Sequence, residues 1–240
     1  MQPTFLPWLG YFALLDAVDA FVFLDDVQLS RQSWQTRNRV LGPDGPLTLS
    51  LPVARRPSRP SIAEARLAAE PARLRALVRT LGASLARAPH GPETMELVER
   101  AFAAAGDSLL ELNVGLIEAV AGLVGIDTAR VRASELDATA ADRSGRLLAI
   151  CRRLGAREYL SPIGALDYLD GADPFAGTEV RLRFARYEHP RYAQPGGRFE
   201  SHLSALDALA RVGPEAFLAL VRSGVRPALP IEDARDGAPA

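Results

Sequence analysis

The sequence predicts an α/β fold, with a Rossmann-like, mostly parallel sheet interrupted by a helical insertion and a first strand that is truncated. Three observations carry this expectation. The chain opens on a loop, a helix and a short apolar strand in that order. Its middle turns to alanine, leucine and arginine at helical periods, and strand-like runs return afterwards. The expected segments are an N-terminal α/β half (1–70), a helical insert (71–138), a C-terminal α/β half (139–225) and a loose tail (226–240).

Pro3 and Pro7 keep Gln2–Pro7 out of a helix, because proline fixes its own φ and restricts the residue before it. Leu9, Phe12, Leu15 and Val18 then recur at helical spacing. Phe21–Leu24 is an apolar run closed by Asp25 and Asp26, as a buried parallel strand would be. Loop, helix and strand form the second half of a nucleotide-binding βα unit. The strand leading into it would need roughly five residues, and only Met1 precedes Gln2, so the natural start is expected upstream of Met1. The adjacent Asp25 and Asp26 point to opposite faces of a strand, which argues against a paired carboxylate site.

Residues 27–41 are polar, with Gln28, Ser30, Arg31, Trp34, Arg37, Asn38 and Arg39. They read either as a substrate-contacting segment beyond a strand's carboxyl end or as a solvated loop whose Trp34 packs back on the core. Pro43-Asp44-Gly45-Pro46 is a turn, and Leu47–Val53 alternates like a strand. Arginine and proline dominate Arg55–Pro60, and Ile62–Leu67 suggests another short strand. Three helices fill 71–126, with Asp107 as a candidate N-cap and Asn113 facing either the lobe's core or a cleft.

A helix from Arg143 to Leu154 carries Gly155 as its C-cap, and Arg157–Leu160 is a short strand. Ser161-Pro162-Ile163-Gly164 is a turn entering a helix. It reads as a cradle for a phosphate or carboxylate, or as a plain helix cap at Ser161. Glu179–Arg186 alternates as a half-buried strand near a sheet edge. It delivers His189, Tyr192 and Gln194 to a loop in which His189 is either a general base or a turn residue beside Pro190. Gly196-Gly197 suggests a hinge. Ser204 and Asp207 stand one helical turn apart, placed either to bind a substrate or to bond to the backbone. Pro214 starts a last helix to about Arg222.

The composition fits one substantial core: 240 residues, 48% apolar, net charge -1. All 28 basic residues are arginine, which excludes a P-loop lysine or a Schiff base. The near-neutral balance argues against nucleic acid as the main ligand. Cys151 is the single cysteine, so no internal disulfide can form, and its apolar setting suggests a core thiol rather than a nucleophile. The three histidines, His90, His189 and His202, lack ligand spacing, and no metal is expected. The longest apolar helix candidate, 114–126, is too short to span a bilayer, and the expected location is cytoplasmic.

The series Gln2-Pro-x-Phe-Leu-Pro-Trp-x-Gly-Tyr-Phe, Asp25-Asp26-Val-Gln28, Trp34-x-x-Arg37-Asn38-Arg39, Tyr159-Leu-Ser161, His189-Pro-x-Tyr192-x-Gln194 and Ser204-x-x-Asp207 resembles the WbqC-like protein family. The resemblance runs from Gln2 to about Gly213. It implies a setting in surface-polysaccharide or natural-product biosynthesis, with modification of a nucleotide-linked amino sugar by an acyl or aminoacyl group. The opening turn is also similar to that of HxGH-type nucleotidyltransferases and pantothenate synthetase-like ligases. Trp8 and Tyr11 stand where the two histidines of that pattern would be, so its charge-stabilising imidazoles are missing.

On this reading Gln2, Trp8, Gly10 and Tyr11 hold a nucleotide or acyl donor. Asp26, Gln28, Arg37 and Asn38 orient the acceptor, Trp34, Ser161, Tyr192, Gln194 and Ser204 add contacts, and His189 takes a proton from the amine, with Asp26 as the second catalytic candidate. The cofactor is open, a nucleotide being one candidate, and so is the oligomeric state. Two other classes compete with this transferase: a non-catalytic module that presents a nucleotide sugar or carrier-bound substrate, and a scaffold with no small ligand.

Overall fold

The computed structural model describes residues 1–30, 32–54, 59–168 and 175–236. Arg31, most of the Arg55–Pro60 stretch and the last four residues of the expected tail lie outside the described residues. The fold is α/β, in the order α1 (Leu9–Asp16), β1 (Ala20–Phe23), β2 (Arg37–Gly42), β3 (Gly45–Ser50), α2 (Pro71–Leu85), α3 (Gly91–Ala105), α4 (Leu109–Val124), β4 (Ala129–Arg132), α5 (Arg143–Arg153), β5 (Glu158–Pro162), β6 (Arg181–Tyr187), α6 (Ala205–Ser223), β7 (Val225–Leu229) and α7 (Ile231–Asp236).

β1 pairs with β4 in parallel, as does β5 with β6, while β2–β3 is an antiparallel hairpin and β7 runs antiparallel to β6. Among the described residues the strands make three small sheets rather than one continuous Rossmann sheet. Each strand is only four to seven residues long, and helices carry most of the core. α1 is buried at Leu9, Tyr11, Phe12, Ala13, Leu14 and Leu15, which is burial nearly all round, as in a helix at the centre of a core rather than on its surface. It shares one apolar cluster with β1, β2, β3, α2, α3, α4 and α6. A second, smaller cluster gathers Cys151, Phe175, Val180, Leu182, Phe184, Ile231 and Ala234. Burial there raises the Cys151 thiol to about 11, leaving it protonated and inert at neutral pH.

Several local expectations change. The end of the polar segment is strand β2, where the buried Asn38 and Val40 alternate with Arg37 and Arg39. Ile62–Leu67 forms no strand, only isolated bridges from Leu67 to Val53 and Arg66 to Ser108. Ser108, not Asp107, caps α4 by accepting from the Glu111 amide at 3.3 Å. β6 is the central strand of its sheet, not an edge. Val225–Leu229 is a strand and Ile231–Asp236 a helix with Ile231 and Ala234 buried, so the expected loose tail is mostly packed structure. Pro227 had hidden this, although an edge strand such as β7 tolerates proline. α6 breaks at Gly213 (φ 78°, ψ 165°), just before Pro214, which matches the expected division into two helices.

At the amino end, the Met1 amino nitrogen donates to the Val22 carbonyl at 2.6 Å and the Leu24 amide donates to the Met1 carbonyl at 2.8 Å. Met1 thus makes one step of a parallel ladder beside β1. Burial lowers its amino group to about 5, which leaves the amine neutral at pH 7.

Residues 2–7 have no secondary structure to satisfy their carbonyls, and buried side-chain amides do so instead. Asn38 Nδ2 donates to the carbonyls of Phe5 at 3.1 Å and Leu6 at 2.7 Å. Asn113 Nδ2 donates to those of Pro3 at 3.2 Å and Gln35 at 2.9 Å, which answers where this residue faces. Gln35 Nε2 donates to Gln2 Oε1 at 2.5 Å. The loop holds the fully buried Leu6 at φ 48°, a backbone region that leucine rarely enters and that only an over-determined setting maintains.

Removing either asparagine amide strands two buried carbonyls. Asn38→Ala and Asn113→Ala are each expected to lower unfolding free energy by about 2–4 kcal/mol, read as a lower urea midpoint at unchanged slope. A change under about 0.5 kcal/mol, the usual range for an uninvolved surface site, would mean the amides do not hold the loop.

Candidate functional site

The clamped loop meets the start of α6. Ala205 N–H donates to the Pro7 carbonyl at 2.8 Å, Ser204 N–H to the Arg39 carbonyl at 2.8 Å, and Trp8 and Ser204 form a backbone bridge. This joint fixes Trp8, the residue before α1. A side chain at Gly10 would place its Cβ 2.3 Å from the Trp8 ring, so glycine is required there for the indole to lie across the first turn of the helix.

Around Trp8 stand side chains from the β6–α6 connection. His189 stacks on it with ring centroids 6.1 Å apart and planes 16° apart, and His202 stacks at 4.9 Å and 28°. Tyr187 meets it edge-on at 5.4 Å. Phe199 lies 5.7 Å from His189 and 5.5 Å from Tyr192, with the Arg191 guanidinium over its ring. β6 sets the position of Tyr187, and the Glu188 amide donates to the Gly224 carbonyl at 2.9 Å. A Cβ on Gly224 would come 2.5 Å from the Glu188 carbonyl and 2.7 Å from the Tyr187 ring. His202 adopts φ 57°, so two left-handed non-glycine residues, Leu6 and His202, flank the same joint, and such strain concentrates at functional sites.

His189 Nδ1 lies 2.9 Å from the Pro190 carbonyl. The carbonyl can only accept, so the proton sits on Nδ1 and Nε2 carries the lone pair. Desolvation lowers the pKa of His189; that hydrogen bond opposes it in part, and the nearby His202 adds a smaller lowering. Nε2 is buried and has no partner among the described residues. The same is true of Tyr187 Oη and Arg39 Nε. Three buried polar atoms without partners therefore belong to side chains around one tryptophan, where most proteins leave very few.

Of the residues expected from sequence, Trp8, His189, Tyr192 and Ser204 come together here. Tyr192 donates its hydroxyl to Asp207 Oδ2 at 2.8 Å, while Arg211 donates to Asp207 Oδ1 at 2.8 and 3.1 Å, so Tyr192 and Asp207 brace the wall. Ser204 caps α6, its Oγ accepting from Leu206 at 3.3 Å, and Gln194 binds both backbone groups of Glu200. Both are positioning residues.

Other expectations are corrected. Gly10 is covered by the Trp8 indole and so does not face a phosphate. Tyr11 is a core residue whose hydroxyl reaches the Gln2 carbonyl at 3.4 Å, and Asn38 is spent on the loop. Ser161 is buried in β5 opposite Phe184, its hydroxyl 3.5 Å from the adjacent Pro162 carbonyl and interacting with the Tyr159 side chain, so it packs within the sheet. Asp26 pairs with Arg146 at the edge of β1. Gln2, though exposed, holds Gln35. Gln28 bridges to Ser61, and Trp34 is 55% exposed, with its carbonyl accepting from Phe5 at 2.8 Å. Arg37 projects from the exposed face of β2.

The sequence does not single out Tyr187, Phe199 or His202, and it marks Arg39 only as one member of the polar 27–41 segment. The alternation along β2 would have paired Arg39 with Arg37. Nothing local marks His202, because its role depends on stacking against a residue almost two hundred positions away. Among the described residues no three His, Cys, Asp or Glu side chains gather closely enough to hold a metal ion, and no helix is long and apolar enough to cross a membrane.

No solved structure matches the chain. The chain is similar to the uncharacterized protein Rv1507c of Mycobacterium tuberculosis, at 30% identity over 219 residues covering 90% of this chain and 94% of that protein. A family model matches residues 2–218, which contain the clamped loop, the Trp8–His189 cluster and α6 to within a few residues of its end. The chain belongs to the WbqC-like protein family.

Proposed function

We propose that this chain is a biosynthetic transferase that moves an acyl or aminoacyl group onto an amine of a nucleotide-linked sugar or a related small molecule, with His189 as general base. The observation that carries this reading is the buried His189 Nε2, which keeps its lone pair and has no partner among the described residues. An amine reaches the site as ammonium and gives one proton to Nε2. The neutral nitrogen then bonds to the donor's carbonyl carbon. As the tetrahedral adduct collapses, the bond to the leaving group breaks and the remaining excess proton of the adduct nitrogen passes to that group, while the proton held on Nε2 is released to solvent, so the products are an amide, the protonated leaving group and one proton. Trp8 supplies a flat apolar wall, and Tyr187 a hydroxyl that burial keeps protonated and able to donate.

The alternative is a non-catalytic module that presents a nucleotide sugar or carrier-bound substrate to a partner enzyme. The closure of Trp8, Tyr192 and Phe199 around His189 favours it, because a base must reach its substrate. Product formation decides between the two. With nucleotide-linked amino sugars and acyl or aminoacyl donors, mass spectrometry should detect the amide. His189→Ala should lower turnover by about two to four orders of magnitude with little loss of binding, and an unchanged rate would exclude the base.

The pH profile gives a separate test. His189 is drawn below its ordinary value of 6.5, so the free base persists through neutral pH. The acid limb of kcat/KM is expected below pH 6.5, with activity lost as Nε2 is protonated. A limb above that value would assign the titration to another group.

A further inference from the structure

Arg39 is a cation of this site that no carboxylate neutralises among the described residues. Its guanidinium makes one hydrogen bond among the described residues, a long one of 3.5 Å from a terminal nitrogen to the His202 carbonyl, and its Nε is buried without a partner. A buried guanidinium N–H left unpaired is costly, and among the described residues no hydrogen-bond acceptor meets it. Asp207, in the first turn of α6, is already occupied by Arg211 and Tyr192. Arg37 lies two residues earlier on the same face of β2, also without an ion pair among the described residues, and the cross-strand neighbours of the two arginines are Ser50 and Thr48, both uncharged.

The adjacent helix end cannot supply the anion contact instead. At the N-terminus of α6, the amides of Ala205, Leu206 and Asp207 donate to the Pro7 carbonyl, the Ser204 hydroxyl and the Ser204 carbonyl. Positive character on this side of Trp8 therefore comes from Arg39 and Arg37, beside the His202 imidazole. A guanidinium fork with free N–H groups matches the paired oxygens of a phosphate.

We propose that Arg39, with Arg37 outward of it on β2 and His202 beside it, binds a phosphate group of the substrate. The phosphate would lie next to the Trp8–His189 cluster, so the acceptor or donor would be phosphorylated: a nucleoside diphosphate derivative or a phosphopantetheine-linked group. The placement rests on the reading of that cluster as the substrate site.

Calorimetry on the full chain with inorganic diphosphate tests this. The wild type is expected to bind it, with succinate as a control anion that binds at least tenfold more weakly. Arg39→Gln should weaken diphosphate binding by about 10- to 100-fold, the range for a charge-assisted hydrogen bond. Arg39→Lys, which keeps the charge and loses the fork, should fall between and serves if the glutamine variant does not fold. Uridine diphosphate and 4′-phosphopantetheine as further ligands separate the two sources, since the true one should bind more tightly than inorganic diphosphate. No diphosphate binding by the wild type, or equal binding by both Arg39 variants and the wild type, would overturn the proposal. His189→Ala keeps the failures apart: unchanged turnover with diphosphate binding intact removes the base and leaves the phosphate site standing.

Discussion

The structure depends on how one irregular loop satisfies its backbone. Residues 2–7 run through the core with no helix or strand to take up their carbonyls, and a buried unpaired carbonyl is among the more costly defects a fold can hold. Two side-chain amides from different parts of the chain, those of Asn38 and Asn113, meet this need, and the Gln35 amide holds the Gln2 side chain beside them. Because Asn113 comes from α4 and Asn38 from β2, the loop also fastens the helical middle of the chain to the hairpin. Trp8 follows directly on that fastening, and the candidate site is assembled around its ring.

Much of the fold was legible in the sequence because it rests on local patterns. α1, β1, the turn after β2, the helices of 71–126 and the break before Pro214 all follow from periodicity, proline or glycine. What was missed depends on distant partners. β7 carries a proline and reads as tail until β6 is there to pair with it. Asp107 and Ser108 are both good caps, and only the approach of the chain selects Ser108. The small separate sheets could not be read from strands of four to seven residues, which carry no mark of how many neighbours they will have.

The site shows the same division. His189, Tyr192 and Trp8 were legible because aromatic and titratable residues clustered near strand ends. The polar residues that proved to be structural, Asn38, Gln194 and Ser204, have the same chemistry as ligand-binding residues. Only coordinates reveal that their hydrogen bonds are taken up by the protein's own backbone. Tyr11 looked like part of a binding motif because it sits beside Gly10, yet helical geometry turns it into the core while Gly10 faces the indole. Arg39 belongs to the polar segment that the sequence marks, yet nothing local separates it from the arginines beside it; it is distinguished only by what it fails to meet.

Strand β2 joins these two themes within a single residue step. Asn38 points inward and grips the loop, while Arg39, on the opposite face, looks toward His202. Since side chains alternate sides along a strand, anchorage and charge share one register. Lengthening the 43–44 corner would leave both in place, whereas one extra residue between Gln35 and Asn38 would exchange their faces, sending the guanidinium into the core and the amide out into water.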